Sequence, residues 1–306
     1  LPGAKGESVS EPTITGTPER CQAELAASSE KSRPMQGPAA PVRWRSISIC
    51  RNSPPPQPTS STDLPFDAAT GLWLPPTPDH LQQVIAAAQT RGPLAAVVLV
   101  DPSYQGLASP LVDLVAVAHG AGLPVLVDQA HGRGEALAAG ADLVVLSCQK
   151  AGGGLAQTAV LGLQGERVAP EAVERALLWL QTSSPSALLL ASAQAALRQL
   201  FSRAGQRRHL TALKVARRLR LRCQQVALPL VANQDPLRLV LHTAAMGISG
   251  LEADAWLLER GVIAELPEPG TLTFCLGEVP PWGVGWRLPR QLQALRRALG
   301  GAPLPP

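Results

Sequence analysis

The sequence predicts an α/β protein built on a mostly parallel sheet, followed by a small α/β unit. Three observations point there. Ala96-Val-Val-Leu-Val-Asp101, Pro124-Val-Leu-Val-Asp128 and Asp142-Leu-Val-Val-Leu-Ser147 are short, apolar, β-branched runs separated by Gly/Ala-rich stretches. Runs that are apolar throughout, rather than alternating, mark buried parallel strands. Apolar residues are 45% of the chain and charged ones 16%, which suits a sizeable core at 306 residues and not a disordered polymer.

Residues 1–62 differ in kind. They hold ten prolines, ten serines and Trp44 as the lone aromatic, with Pro54-Pro-Pro-Gln-Pro58 near their end. No helical or strand period persists, so this stretch is expected to be a disordered or foreign amino-terminal segment. Order is predicted to begin at Asp63, with a large domain over 63–205 and a long helix plus small domain over 206–306. Strand 96–101 leads through the turn Pro102-Ser-Tyr-Gln-Gly106 to a helix over 110–121. Gly122 and Pro124 end that helix in the expected way. Strand 124–128, a short helix near 133–140 and strand 142–147 continue the alternation. Gly152-Gly-Gly154 turns the chain into strand 158–163. A helix at 170–180, the turn at 182–185 and a long helical region over 186–224 come next. The remainder reads β (237–243), α (251–260), β (262–266), β (271–276) and α (288–299).

The chemistry concentrates at the strand ends, where ligands bind in open α/β sheets. Asp128 closes one run, and Lys150 lies just beyond the next. Only four of the 27 basic residues are Lys (Lys5, Lys31, Lys150, Lys214). A partly desolvated Lys sheds its proton and forms an imine, which Arg does not. An Asp and a Lys so placed suit pyridoxal 5'-phosphate: the amine holds the aldehyde as a Schiff base, and the carboxylate keeps the pyridine nitrogen protonated. A surface Lys just past a strand end is the structural alternative.

Pro102-Ser-Tyr104-Gln-Gly106, Asp128-Gln-Ala-His-Gly132, Ser147-Cys-Gln-Lys150 and Gln181-Thr-Ser-Ser-Pro-Ser186 resemble, in order and spacing, the large domain of the ornithine/lysine/arginine decarboxylase family. Asp235-Pro-Leu-Arg-Leu239, Gly247-Ile-Ser-Gly-Leu251 and Gly261-Val-Ile-Ala-Glu265 resemble its small domain. Gln129 and Gln149 depart from the family's usual Glu and His. The resemblance implies a fold-type I enzyme using pyridoxal 5'-phosphate, a homodimer or higher homo-oligomer. It would release CO₂ from ornithine, lysine or arginine, a step toward polyamines. It assigns Lys150 as the Schiff-base lysine and later proton donor, and Asp128 as partner of the ring nitrogen. Ala130 is small enough to let the ring lie flat. His131 would bond the cofactor's phenolic oxygen or the substrate carboxylate. Ser147 would bind the phosphate, and Thr182 and Ser183 the phosphate of a neighbouring subunit. Tyr104 and Glu265 are candidate substrate contacts. The Gly/Ser-rich turn and ring-stacking residue that the family places upstream are not found in residues 1–62.

Other classes fit less well. The net charge of +4 sits mostly in Arg198–Arg222, where Leu210, Leu213, Val215, Leu219 and Leu221 recur at helical spacing. That reads as a helix with a solvated basic face, with neither nucleic acid nor membrane as a partner. The five cysteines are scattered, without CxxC or Cys/His ligand spacing, which fits a reducing cytoplasm. No apolar run is long enough to span a bilayer. Asp128 and His131 lack further ligands for a metal. A helicase-type Asp-Glu-x-His box would need an upstream phosphate loop, which is missing. Two rivals stay open: a fold-type I remnant serving as a binding or dimerisation module without catalysis, and an aminotransferase-like enzyme of the same cofactor.

Overall fold

The three apolar runs form neighbouring strands. The computed structural model describes residues 64–305, together with the backbone of 43–48. β4 (Val97–Val100), β5 (Val125–Asp128) and β6 (Leu143–Ser147) pair in parallel, with Val100 opposite Asp128 and Asp128 opposite Val145. β7 (Thr158–Leu163) runs antiparallel to β6 and β1 (Arg43–Ser48) antiparallel to β7, so four of the five strands point one way. The strand at 43–48 corrects the expectation that no regular element precedes residue 63. β7 supplies the reason: its outer edge carries backbone N–H and C=O groups that a short extended segment satisfies. The rest of the segment expected to be disordered lies outside the described residues.

Val125, Val127, Val144 and Leu146 share one core with Leu81 and Ile85 of α1 (Pro78–Gln89) and with Leu114 and Ala118 of α2 (Leu111–Gly120). Helix α1 was not anticipated, although Thr77 and Pro78 signal it. Thr77 Oγ1 accepts from the His80 N–H at 3.2 Å, and Pro78 occupies the first turn. A two-residue hairpin, β2 (Phe66–Asp67) with β3 (Leu72–Trp73), precedes it. The other sheet face is open at β4, where Val98 and Val100 are 67% and 62% exposed.

The expected 186–224 helix is two helices, α5 (Ala187–Phe201) and α6 (Arg203–Gln225), which follow α3 (Glu135–Ala138) and α4 (Pro170–Leu180). Ser202 leaves helical geometry and caps α6, its Oγ accepting from the Gly205 N–H at 3.0 Å. A Cβ at 205 would lie 1.9 Å from the Gln199 carbonyl oxygen, so the corner admits only glycine.

A second core joins Ala212, Leu219 and Cys223 of α6 to β8 (Arg238–His242), β10 (Thr271–Cys275), α7 (Gly250–Leu258) and α8 (Val284–Leu299). β10 pairs antiparallel with β8 and with the short β9 (Leu266–Pro267). The strand expected over 262–266 is thus shorter and later. Helix α8 starts four residues before the expected 288, because Pro289 sits inside it and not at its start. Proline lacks the N–H that the Gly285 carbonyl would receive. Arg222 Nη1 donates to that carbonyl instead, at 2.8 Å. Among the described residues, no helix is long and apolar enough to cross a membrane.

The start of β6 is fixed by a buried carboxylate. Asp142 Oδ2 accepts from the Val125 N–H and from His119 Nε2, both at 2.8 Å. Asp142→Ala strands the Val125 N–H inside the core and removes the partner of His119. The variant should lose about 2–4 kcal/mol, read from the urea midpoint at unchanged m-value.

Candidate active site

Two neighbouring parallel strands each send out a reactive residue three positions past their last member. β5 ends at Asp128 and leads to His131; β6 ends at Ser147 and leads to Lys150. The side chains meet, with Lys150 Nζ 2.8 Å from His131 Nε2. Asp128 Oδ1 accepts from the Ala130 N–H at 2.8 Å, which holds the carboxylate over the turn. Asp128 and Ser147 occupy the half-buried face of their strands, opposite to the buried Val127 and Leu146. Ser147 Oγ makes no hydrogen bond among the described residues and faces the same side as Asp128.

The small domain closes the other side of His131. Arg238 Nη2 donates to His131 Nδ1 at 2.6 Å. A guanidinium only donates, so Nδ1 accepts, and the neutral ring carries its proton on Nε2, facing Lys150 Nζ. Burial first, then the Lys150 and Arg238 charges, push the His131 imidazole down from 6.5 to about 4, against the pull of Asp128 and Glu265. The Tyr104 ring packs edge-to-face on His131, centroids 4.5 Å apart, and Lys150 Nζ lies 5.8 Å from the Tyr104 centroid. The Tyr104 hydroxyl donates to Glu265 Oε1, and this bond together with burial raises its pKa to about 12. Lys150, His131, Asp128, Tyr104 and Glu265 are therefore brought into one cluster.

Thr182 and Ser183 stand apart from it. Thr182 Oγ1 accepts from the Ser184 N–H at 3.2 Å in the turn before α5, and Ser183 is exposed. Gln149 is exposed as well. Gln129 is not an idle departure: it is buried, its Oε1 accepts from the Ala136 N–H at 3.0 Å, and its Nε2 lies 3.4 Å from Glu135 Oε2. Its amide also bonds Asp101, whose carboxyl burial pushes up. A third carboxylate there would meet two others in a poorly solvated corner, so a neutral amide fits better.

Sequence reasoning missed Arg238. The available signal was an Arg at the head of the apolar run Leu237-Arg-Leu-Val-Leu241, where a charge is costly without a partner. Its neighbour Gly106 has φ +80°, and a Cβ there would lie 2.8 Å from Arg238 Cβ, so that glycine lets the arginine pass. Arg133, two residues after His131, was also missed. Its Nη1 donates to Glu278 Oε1 at 2.6 Å and its Nη2 to the Leu200 carbonyl at 3.1 Å, with His209 Nδ1 on the same Glu278 oxygen at 2.9 Å. Among the described residues no group of three or more His, Cys, Asp or Glu is placed to hold a metal.

A folded-state value below the ordinary one means that protonating His131 costs folding free energy. Its contribution is complete above about 6.5 and is lost as pH falls through about 4. An imidazole NMR titration should show the ring neutral down to about pH 4, and Arg238→Met should raise the midpoint part of the way toward 6.5.

Comparison with known proteins places this geometry. The family model described as "Orn/Lys/Arg decarboxylase, major domain" matches residues 76–232, just over half of the chain. The arginine decarboxylase of Bacillus subtilis (strain 168) is 29% identical over 227 residues, covering 65% of this chain and 46% of that protein. The chain thus spans a little under half the length of the arginine decarboxylases it matches. Among solved structures, an SPT structure with PLP aligns at a TM-score of 0.58 and 23% identity, over 73% of this chain and 60% of that one. The Sphingomonas wittichii serine palmitoyltransferase aligns at 0.58 and 21%, over 73% and 59%. At such identities the likeness concerns the fold, which is the fold-type I architecture the sequence led us to expect. On its matched large domain, the chain belongs to the Orn/Lys/Arg decarboxylase family.

Proposed function

We propose that the chain binds pyridoxal 5'-phosphate at Lys150 and decarboxylates a basic amino acid (ornithine, lysine or arginine), giving CO₂ and the corresponding amine in the cytoplasm. The observation that carries this reading is the 2.8 Å contact between Lys150 Nζ and a neutral His131, with Asp128 ending the adjacent strand. The donor set suits the group: a lysine amine beside a neutral imidazole, a carboxylate for the ring nitrogen, and the Ser147 hydroxyl on the same face.

When bound, the cofactor supplies an electron-poor ring that accepts the electron pair left as CO₂ departs. The chain's residues do the rest. Lys150 Nζ would hold the cofactor's aldehyde group and would be placed to return a proton to the substrate carbon that lost its carboxylate. Asp128 would keep the pyridine nitrogen protonated, and Ala130 would leave room for the ring. Ser147 would hold the phosphate from one side, and Thr182 and Ser183 would hold a neighbouring subunit's phosphate. His131 would orient the phenolic oxygen or the substrate carboxylate. Tyr104 lines the pocket, and Glu265 meets the cationic end of the substrate.

Support for a homodimer comes from α4. It buries no residue, and Leu178, Trp179 and Leu180 are exposed just before Thr182 and Ser183. An apolar end that large implies a partner surface, and a second copy would also explain why Thr182 and Ser183 face away from their own cluster. A second reading, a fold kept without turnover, draws on the open sheet face at Val98 and Val100.

Borohydride reduction with pyridoxal 5'-phosphate should fix a pyridoxyl label on the Lys150 peptide, absent in Lys150→Ala, and CO₂ release should follow with one of the three amino acids. Absence of label sinks the cofactor reading; label without CO₂ favours the inactive fold. Trp179→Arg should shift the protein from dimer to monomer in sedimentation, with loss of at least about tenfold of any activity; a variant that stays dimeric removes α4 from the interface.

A further inference from the structure

The basic run of α6 does not stand alone. It packs against α8, and neither helix contains a single Asp or Glu, while α6 carries eight Lys or Arg and α8 four. Arg203, Arg207, Lys214, Arg217 and Arg218 are all exposed. At 3.6 residues per turn they fall within one stripe about 100° wide. Leu210 and Leu221, three turns apart, lie in the same stripe and are 55% and 57% exposed.

Where α6 ends, Arg222, about 40° round the helix from the edge of the stripe, reaches the first turn of α8. Arg222 bonds the Gly285 carbonyl there, and with Trp286 and Arg290 it lines a groove of about 500 Å³. The Arg290 guanidinium lies 5.2 Å from the Trp286 ring centroid, and Trp282 packs edge-on against Trp286. Just ahead, the loop Val279-Pro-Pro-Trp282 ends in a tryptophan that is 83% exposed, beside an exposed Val279.

We propose that this face, formed by the α6 stripe and the tryptophan-tipped loop before α8, docks the protein peripherally on an anionic phospholipid surface. Guanidinium groups meet lipid phosphates and carboxylates, while an indole settles at the headgroup level beside apolar neighbours. Exposed Leu210, Leu221 and Val279 favour lipid over nucleic acid, whose phosphate and base surfaces offer leucine and valine little. Such docking needs no membrane-spanning helix, and none is present among the described residues. The proposal is independent of the chemistry at Lys150.

The test is co-sedimentation of the full chain with sucrose-loaded vesicles of phosphatidylcholine, with or without phosphatidylserine, at low and high salt. Binding is expected only with phosphatidylserine, falling as salt screens the charges. Arg218→Glu with Arg290→Glu should weaken it at least about tenfold. Trp282→Ala should weaken it severalfold and reduce the blue shift of tryptophan emission on binding. Circular dichroism and retained labelling of Lys150 establish that the variants fold. Failure to sediment, equal binding to neutral vesicles, or parent-like binding by the charge-reversed variant overturns the proposal. Release from vesicles by a short single-stranded RNA that binds more tightly also overturns it, and assigns the face to nucleic acid.

Discussion

The site depends on a polar seam between two separate hydrophobic cores. Apolar packing forms each core on its own, so the residues facing one another across the seam meet through hydrogen bonds. The loop after β4 carries most of them. Gly106 O accepts from the Gln234 and Asp235 N–H groups, Asn233 Nδ2 donates to Gln105 O at 2.6 Å, and the Ala108 N–H reaches Gln234 Oε1. Gln105 Nε2 donates to Glu268, and Tyr104 to Glu265. Directional bonds fix the angle between the cores in a way apolar contact does not. Arg238 is thereby delivered to His131, and the cluster exists only while the seam holds.

The electrostatics of the cluster follow from that delivery. A buried guanidinium against one ring nitrogen leaves the imidazole a single tautomer, with its N–H toward Lys150. A second cation on the ring would face Arg238 on one side and Lys150 on the other, which is why the ring stays neutral far below its ordinary range. Arg238 is only 8% exposed, its nearest carboxylate is Asp235 at 3.8 Å, and its Nε has no partner among the described residues. Such incomplete satisfaction is disfavoured in a purely structural position and common where a ligand completes the set.

Much of this was legible in the sequence because parallel strands write themselves as short apolar runs with polar ends. Strands at 97–100, 125–128 and 143–147 and the reactive residues past them follow from that one rule. Local signals competing with tertiary context explain the rest. Pro289 looks like a helix start, and only Arg222, brought from 67 residues earlier, shows why the helix tolerates it inside. Ser202 and Gly205 break a helical period that is otherwise continuous. Arg238 was hidden among many arginines, since nothing local tells a buried arginine from an exposed one. β1 needed the edge of β7 to become a strand.

That abundance of arginine has its own logic. Arg220 donates to the Val231 and Arg238 carbonyls and to Asn233 Oδ1. Arg133 ties Glu278 to the Leu200 carbonyl, and Arg296 caps Ala227 O. Each uses the forked, permanently charged guanidinium to satisfy carbonyls that would otherwise be stranded where helices and strands end. An ammonium group is a point charge and does not span such pairs. A chain that builds its corners from arginine has no structural use for lysine at the mouth of its sheet. Lys150 stands there beside a proton-bearing imidazole nitrogen, with no carboxylate bonded to its Nζ among the described residues. The property that separates a lysine from an arginine is its capacity to give up a proton.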